Sequence, residues 1–279
     1  MDSNVSILIA PAQTVVNAAN AVQATIDSLN TINNSLIAQN ASLNTQNTAL
    51  QAEVTALQNQ ANSVTSFPAL ETTPWLLAPG ASANTGSAGS LATATQAQPS
   101  SSCAWFNIAP LGAYADAYWY KTLGANPSKT TYTYQLSFMF NTAADAAASQ
   151  CVELDIQQCI GGVVYNNGWQ FDFQSNQVRV WDRDAKEKGL PNPWVATVLA
   201  CPRWTAGKWM NIFVENHRDS TTVYADAITI NGVRTPINMS FPAPTLGLSD
   251  MLNCAIQLDS NSVGAAYKLY IDNIIFTAS

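Results

Sequence analysis

From residue 15 onward an apolar side chain returns at every seventh position: Val15, Val22, Leu29, Leu36, Leu43, Leu50, Leu57 and Val64. A seven-residue hydrophobic repeat marks a helix whose apolar seam faces another helix of the same kind. With these residues at d, the a positions are Ala19, Ile26, Asn33, Asn40, Asn47, Val54 and Ala61. The spacing predicts a coiled-coil helix over 13–66. Its heptad stretch of about fifty residues extends about 75 Å at 1.5 Å per residue. One such helix cannot bury its own stripe, so self-association as a parallel homodimer or homotrimer is expected. The residues expected to hold it together are Leu29, Asn33, Leu36, Asn40, Leu43, Asn47, Leu50 and Leu57. Successive Asn layers give up stability for register and strand number. Leu at d with Asn at a leans to a dimer, while Ile32 and Ile37 widen the apolar face and leave a trimer open. The outer positions are Thr, Ser, Asn, Gln and Ala, so salt bridges do not select the partner.

Residues 1–12 are expected to be an extended N-terminal segment. Its apolar run Val5-Ser6-Ile7-Leu8-Ile9-Ala10 precedes Pro11 and lacks the basic region of a signal peptide. It suits either a cap on the coiled-coil end or addition as a strand to another subunit. Residues 67–102 carry Pro68, Pro74, Pro79 and Pro99 among Gly, Ser, Ala and Thr, which predicts an extended linker without a core of its own. Trp75 is its exception, expected to dock on a neighbouring domain or chain. Beyond it the period changes to two. Tyr132–Phe140, Gly168–Phe173, Gln177–Trp181, Trp209–Glu215, Thr222–Ile230, Cys254–Leu258 and Tyr267–Phe276 alternate apolar with polar. Further strands are expected over 130–156 and 194–199. This makes 103–279 an all-β antiparallel sandwich of about ten strands.

Composition narrows the partners. Charged residues are 10% of the 279 and the net charge is −7, which excludes the basic surface that nucleic acid requires. No apolar run approaches the length of a membrane span. No Lys or Arg precedes Lys121, so the first part of the chain is polar without being ionic, like many secreted proteins and fibres. That points to an extracellular or cell-surface setting. The cysteines Cys103, Cys151, Cys159, Cys201 and Cys254 form no CxxC, and His217 is the only histidine, so no metal site or cofactor is expected. In an oxidising compartment two disulfides and one free thiol are expected, with Cys159–Cys201 the first choice; in a reducing one, all five are small buried hydrophobes.

The run Trp204-Thr-Ala-Gly-Lys-Trp-Met-Asn-Ile-Phe-Val, followed by Thr222–Ile230 and the turn Asn231-Gly232, resembles the late strands of concanavalin A-like jelly rolls, the laminin-G, legume-lectin and family 16 glucanase group. Leu154-Asp155, Gly168-Trp169-Gln170, Val180-Trp181-Asp182, Trp194-Val195, Ala200-Cys201-Pro202 and Tyr270-Ile271-Asp272-Asn273 are similar to lectin-like domains of bacterial extracellular proteins. The likeness covers 105–279 and none of the coiled coil. It implies a jelly-roll sandwich and a glycan partner.

Within that frame the stretch Val152-Glu-Leu-Asp-Ile-Gln-Gln158 invites comparison with the Glu-x-Asp-x-(x)-Glu strand of the glucanases. The resemblance sets Glu153 at the nucleophile position and Asp155 at the assisting one. The acid/base position holds Gln157 or Gln158, depending on whether the strand bulges. Glutamine has no proton to give, and loss of one acid/base group costs about 10²–10⁴-fold. Asp172 and Asp182 are the nearest replacements. No catalytic residue is therefore expected. The expected ligand-binding face is Glu153, Asp155, Gln157, Trp169, Gln170 and Trp181, where amides and carboxylates meet sugar hydroxyls and indoles stack on rings. The plain alternative is a set of solvated groups on a sheet. Three functions are open to such a chain: a multivalent non-enzymatic carbohydrate-binding or adhesive protein, a subunit of an extracellular fibre or appendage, and, disfavoured, a β-glucan hydrolase.

Overall fold

The computed structural model describes residues 3–72, 74–78, 85–91, 103–126, 128–202 and 204–279. The chain divides into two compact units, Met1–Ser63 and Val64–Ser279.

The first unit is one helix, α1 (Ser3–Ser63). Its polar side chains bond along the helix in place of ion pairs. Thr25, Thr31, Thr45, Thr48 and Thr55 donate to carbonyls four residues back at 2.9–3.1 Å. Gln13 and Gln23 reach Asn17 and Asp27 at 3.2 and 3.0 Å. The heptad stripe is bare: Leu29, Leu36, Leu43 and Leu50 are 56–60% exposed. Two boundaries differ from expectation. Residues 3–12, expected to be extended, are helical, because lengthening an existing helix avoids the cost of a new nucleus. That removes Val5–Ala10 as a free strand for addition to another subunit. At the other end Val64, the last heptad residue, lies past the helix. Among the described residues no helix is long and apolar enough to cross a membrane.

The second unit is a sandwich of two antiparallel sheets. Its strands are β1 (Thr65–Phe67), β2 (Leu76–Leu77), β3 (Thr85–Leu91), β4 (Cys103–Ala109), β5 (Asp116–Thr122), β6 (Thr131–Phe140), β7 (Ser149–Ile160) and β8 (Gly162–Asp172). They continue with β9 (Gln177–Trp181), β10 (Trp194–Ala200), β11 (Met210–Arg218), β12 (Thr222–Ile230), β13 (Val233–Pro242), β14 (Thr245–Leu248), β15 (Met251–Ser260) and β16 (Tyr267–Ala278). Two short helices, α2 (Ala143–Ala148) and α3 (Arg183–Glu187), interrupt them. The first sheet runs β13-β12-β11-β6-β16-β4-β3, with β1 also on β16; the second runs β10-β9-β8-β7-β15-β5-β2, with β14 also on β8. Strands β4 to β7 alternate between the sheets before the chain builds hairpins, which is jelly-roll connectivity.

Alternation decides the inside. Tyr134, Leu136 and Phe138 on β6, Ile212 and Val214 on β11, and Leu269 and Ile271 on β16 face Val152, Leu154 and Ile156 on β7 and Trp169 and Phe171 on β8. The β12–β13 hairpin turns at Asn231 and Gly232, with φ of 50° and 85°, the two positive angles that a tight hairpin needs to match strand twist.

The expected linker is corrected in part. Residues 73, 79–84 and 92–102, with Pro79 and Pro99 among them, lie outside the described residues. The rest is built into the sandwich. β3 pairs with β4 from Thr85↔Ala109 to Leu91↔Cys103. Leu70 enters the core, and Glu71 accepts from the Ile274 amide at 2.9 Å where β16 shifts register against β6. Trp75 does dock, edge-on to Phe106 at 5.3 Å, with the Lys121 ammonium 4.9 Å from its ring centre. The sandwich unit thus begins at Val64 rather than at 103.

The disulfide expectation is also overturned: all five cysteines are buried free thiols. Cys201 follows β10, level with Gln177, Asp172 and Cys151 through successive pairings, whereas Cys159 is eight residues further along β7. At about 3.4 Å per residue that separation is about 27 Å, and a disulfide requires Cα atoms under about 7 Å.

Candidate functional site

Strand β7 passes through the middle of the second sheet with no register shift against β8, from Cys151↔Asp172 to Ile160↔Val163. No bulge intervenes, so Glu153, Asp155 and Gln157 share the outer face and Gln158 points to the core. The third place on the glucanase-like face is therefore Gln157. Gln158 is fully buried and binds across the sandwich, with Tyr132 and Arg218 both donating to its Oε1.

The outer face of the sheet carries a cleft of about 420 Å³. Asp116 and Tyr118 enter it from β5, Gln257 from β15 and Asn166 from β8. Trp181 and Trp194, cross-strand partners on β9 and β10, form one wall with ring centres 4.8 Å apart and planes at 57°. Arg183, from the first turn of α3, completes the lining. Asp155 has Gly168 and Ala255 as its cross-strand neighbours, so neither adjacent strand places a long side chain beside it. Gly168 is required there by close approach: a Cβ would lie 2.7 Å from Asp155 Oδ1, 2.8 Å from Trp181 Cβ and 3.1 Å from Trp194 Cη2.

The carboxylates are held by neutral donors. Gln170 Nε2 donates to Glu153 Oε1 at 2.7 Å, and Asn166 Nδ2 reaches Asp155 Oδ1 at 3.4 Å. Further along the same face the Cys151 thiol donates to Asp259 Oδ2 at 2.9 Å and lies 3.6 Å from Glu153 Oε1, while Gln257 donates to Asp259 Oδ1 at 2.9 Å. Burial pushes all three acids up. Asp155 rises to about 7, with Asn166 and Arg183 opposing the shift, and Asp259 rises to about 6. Glu153 rises well above the ordinary carboxylate range through burial and the neighbouring Asp259 and Asp155 charges. Cys151 is raised well above a free thiol by burial, then by Asp259 and Glu153. Its Sγ and oxygens of Glu153 and Asp259 lie within 4.8 Å of one another, but that cluster is already satisfied internally by the thiol and Gln257.

Of the expected ligand-binding residues, Glu153, Asp155, Gln157 and Trp181 line the cleft. Gln170 lies on the same face but outside the cleft lining, holding Glu153 from the adjacent strand. Trp169 is a correction. It is buried between the sheets, and its Nε1 donates to Asn216 Oδ1 at 2.9 Å, because it shares a parity with Phe171 and the opposite parity to Gln170. The replacement acids do not serve. Asp172 caps the Gln174 and Ser175 amides at 3.0 and 2.9 Å and pairs with Arg179 at 3.3 Å. Asp182 caps α3 through the Ala185 amide at 2.9 Å. Neither lines the cleft. Sequence reasoning missed Asp116, Tyr118, Asn166, Arg183, Trp194 and Gln257. For Asp116 and Tyr118 the signal was present, since Ala117 and Trp119 between and after them take the core face.

Chemically the arrangement offers hydrogen bonding and stacking. Retaining hydrolysis requires one ionised carboxylate and one proton donor, about 5–5.5 Å apart. Here Glu153 is driven towards its protonated form, and Gln157, two residues beyond Asp155 on the same face, is an amide. A second cavity of about 420 Å³, between Phe140, Phe173, Cys201 and Trp204, has no Asp or Glu among its lining residues.

No protein-family model and no curated protein sequence matches the chain. Solved structures do overlap it. Lectin I of Ulex europaeus is 12% identical with a TM-score of 0.48, covering 77% of this chain and 98% of its own. Arcelin-5 of Phaseolus vulgaris, a lectin-like defence protein, is 7% identical with a TM-score of 0.43, covering 78% and 99%. An alginate lyase is 13% identical with a TM-score of 0.40, covering 62% and 80%.

Proposed function

We propose that the chain binds carbohydrate without chemically altering it, in the cleft of the second sheet, and presents several copies of that cleft through a parallel helical stalk. The observation that carries the first part is the tilted Trp181–Trp194 pair standing beside Glu153, Asp155, Gln157, Asn166 and Gln257. Apolar ring faces beside a bank of planar acceptors and donors match the two kinds of surface on a pyranose. Screening the intact protein on an oligosaccharide array, then titrating the best ligand by calorimetry, tests it. Trp181→Ala and Trp194→Ala should each weaken binding about tenfold, the worth of a lost aromatic contact with its buried area, and no shortened product should accumulate. Retained affinity in both variants, or turnover of the ligand, overturns the reading.

The stalk rests on the exposed leucine stripe of α1, whose heptad spacing fits a second or third copy of itself. Clustering weak sites in this way raises avidity by about 10²–10⁴ over a single site. Leu36→Asp with Leu43→Asp should convert the protein to a monomer in sedimentation at micromolar concentration. A native chain that already sediments as a monomer refutes the stalk. An extracellular or cell-surface setting belongs to the same proposal, supported by the non-ionic polar surface of the helix. The thiols fit any compartment: burial pushes Cys103 to about 11 and Cys201 and Cys254 to about 12, which suppresses the reactive thiolate.

A further inference from the structure

The charge balance of the cleft narrows the class of carbohydrate it would hold, an inference that rests on carbohydrate binding at this site. Asp116, Glu153 and Asp155 line the cleft and Asp259 lies beside it on the same outer face, cross-strand from Cys151, against a single lining cation, Arg183. Arg183 is itself engaged, with its Nε 2.7 Å from Glu187 Oε1. Among the described residues no Lys, Arg or His forms an ion pair with Glu153, Asp155 or Asp259; their partners are amides and one thiol. Asp155 is the most weakly held, through the long contact to Asn166. It also has the most room, since Gly168 and Ala255 flank it and the indoles of Trp181 and Trp194 overhang the Gly168 side.

A group resting on Asp155 is thus bounded by further carboxyl groups along the sheet and by aromatic rings beside it. An anion there is repelled. A hydroxyl can bond to a carboxyl in either protonation state and gains nothing from its ionisation. A compact cation is drawn both to the carboxylates and to the negative faces of the rings. We infer that the cleft selects amino sugars, pyranosides carrying a free protonated amine, over their N-acetylated and uronic acid counterparts.

Protonation gives a second signature. The ionisable groups around Asp155 are Glu153 on its own strand, Cys151 and Asp259 beyond Glu153 on the same face, Asp116 and Tyr118 across the cleft, and Arg183 at the rim. With its carboxyl raised to about 7, Asp155 is partly protonated near neutrality. An arriving ammonium favours the ionised form and expels that proton. Affinity for the amine therefore rises above pH 5 as Asp155 ionises, and falls again where the ligand's own amine loses its proton.

The test is calorimetry on the intact chain at pH 5.5 and low salt, where the ligand amines carry their protons and Asp155 still holds its own. The ligands are a β-1,4-linked glucosamine hexamer, its fully N-acetylated counterpart, a cello-oligosaccharide and an oligogalacturonate. The glucosamine hexamer should bind about tenfold more tightly than the acetylated one, the worth of one charge-assisted contact. Repeating the titration in buffers of different ionisation heat should show proton release with the amine alone. The preference should shrink in 0.5 M salt as the charges are screened. Asp155→Asn, which keeps size and shape, should bring the amine-to-acetyl ratio near one, with an unchanged melting curve showing that the fold is intact. Equal binding of amine and acetyl forms, or preference for the uronate, overturns this inference while leaving carbohydrate binding in place. Failure of all four ligands overturns it too, and the array then decides whether the broader reading survives.

Discussion

Replacing Trp169 with alanine should cost the sandwich about 3–5 kcal/mol, the usual penalty for emptying a large aromatic site in a packed core. The ring is fully buried, and its indole nitrogen ties β8 in the second sheet to Asn216 on β11 in the first. Truncation leaves a cavity and also strips Asn216 Oδ1 of its donor. The Asn216 amide nitrogen already has no partner, so the variant would bury an entire unsatisfied side-chain amide. For a unit the size of Val64–Ser279 each kcal/mol moves Tm by about 2–4 °C, giving a fall of roughly 6–20 °C by calorimetry. Trp181→Ala should move Tm far less while removing part of the ligand wall. If Trp169→Ala melts like the native protein and loses glycan instead, the two tryptophans have been assigned to the wrong faces.

That contrast shows what was legible in the sequence. The sandwich, most of its strands and the outward run Glu153, Asp155, Gln157 follow from period-two alternation, which is local and needs no knowledge of neighbours. The face of Trp169 was also available, because Gly168, Gln170 and Asp172 mark the outward parity of β8. Adjacent residues of a strand face opposite ways, so Trp169 and Gln170 cannot both belong to one outer site. Trp194 and Arg183 were not available in this way. They reach the cleft because β10 pairs with β9 and because α3 forms at Arg183–Glu187, placements that no local alternation specifies. The strand β3 was hidden for a different reason. Its sequence, Thr85-Gly-Ser-Ala-Gly-Ser-Leu91, has no strand propensity of its own, and pairing with β4 supplies what the residues do not. Glu71 belongs to the same class, a carboxylate whose purpose appears only once the register shift in β16 leaves an amide to satisfy.

The adjacent glutamines Gln157 and Gln158 offer the most direct test of the strand register, because they should respond oppositely to the same change. Gln158 Oε1 accepts from the Tyr132 hydroxyl and from Arg218 Nε, and its Nε2 donates to the Asn126 carbonyl at 2.8 Å. The guanidinium of Arg218 is further held by the Lys129 carbonyl at 3.0 Å and lies 4.5 Å from the centre of the Tyr165 ring. Gln158→Leu takes the side-chain acceptor from a partly buried cation and from a buried phenol at once. Both keep the Lys129 carbonyl as a partner, so the cost is that of the lost bonds, about 0.5–1.5 kcal/mol for a neutral one and about 1.5–3 for one to a charged group, and a loss of roughly 3 kcal/mol is expected by urea titration, with the slope unchanged. Gln157→Leu removes one long contact to Cys159 Sγ at 3.6 Å. It should leave stability within about 0.5 kcal/mol, the usual range for a surface change, and weaken glycan binding. A slip of one residue along β7 would exchange the faces of every side chain on the strand. If Gln157→Leu proves the destabilising variant, Glu153 and Asp155 point into the core and the cleft has no carboxylate floor.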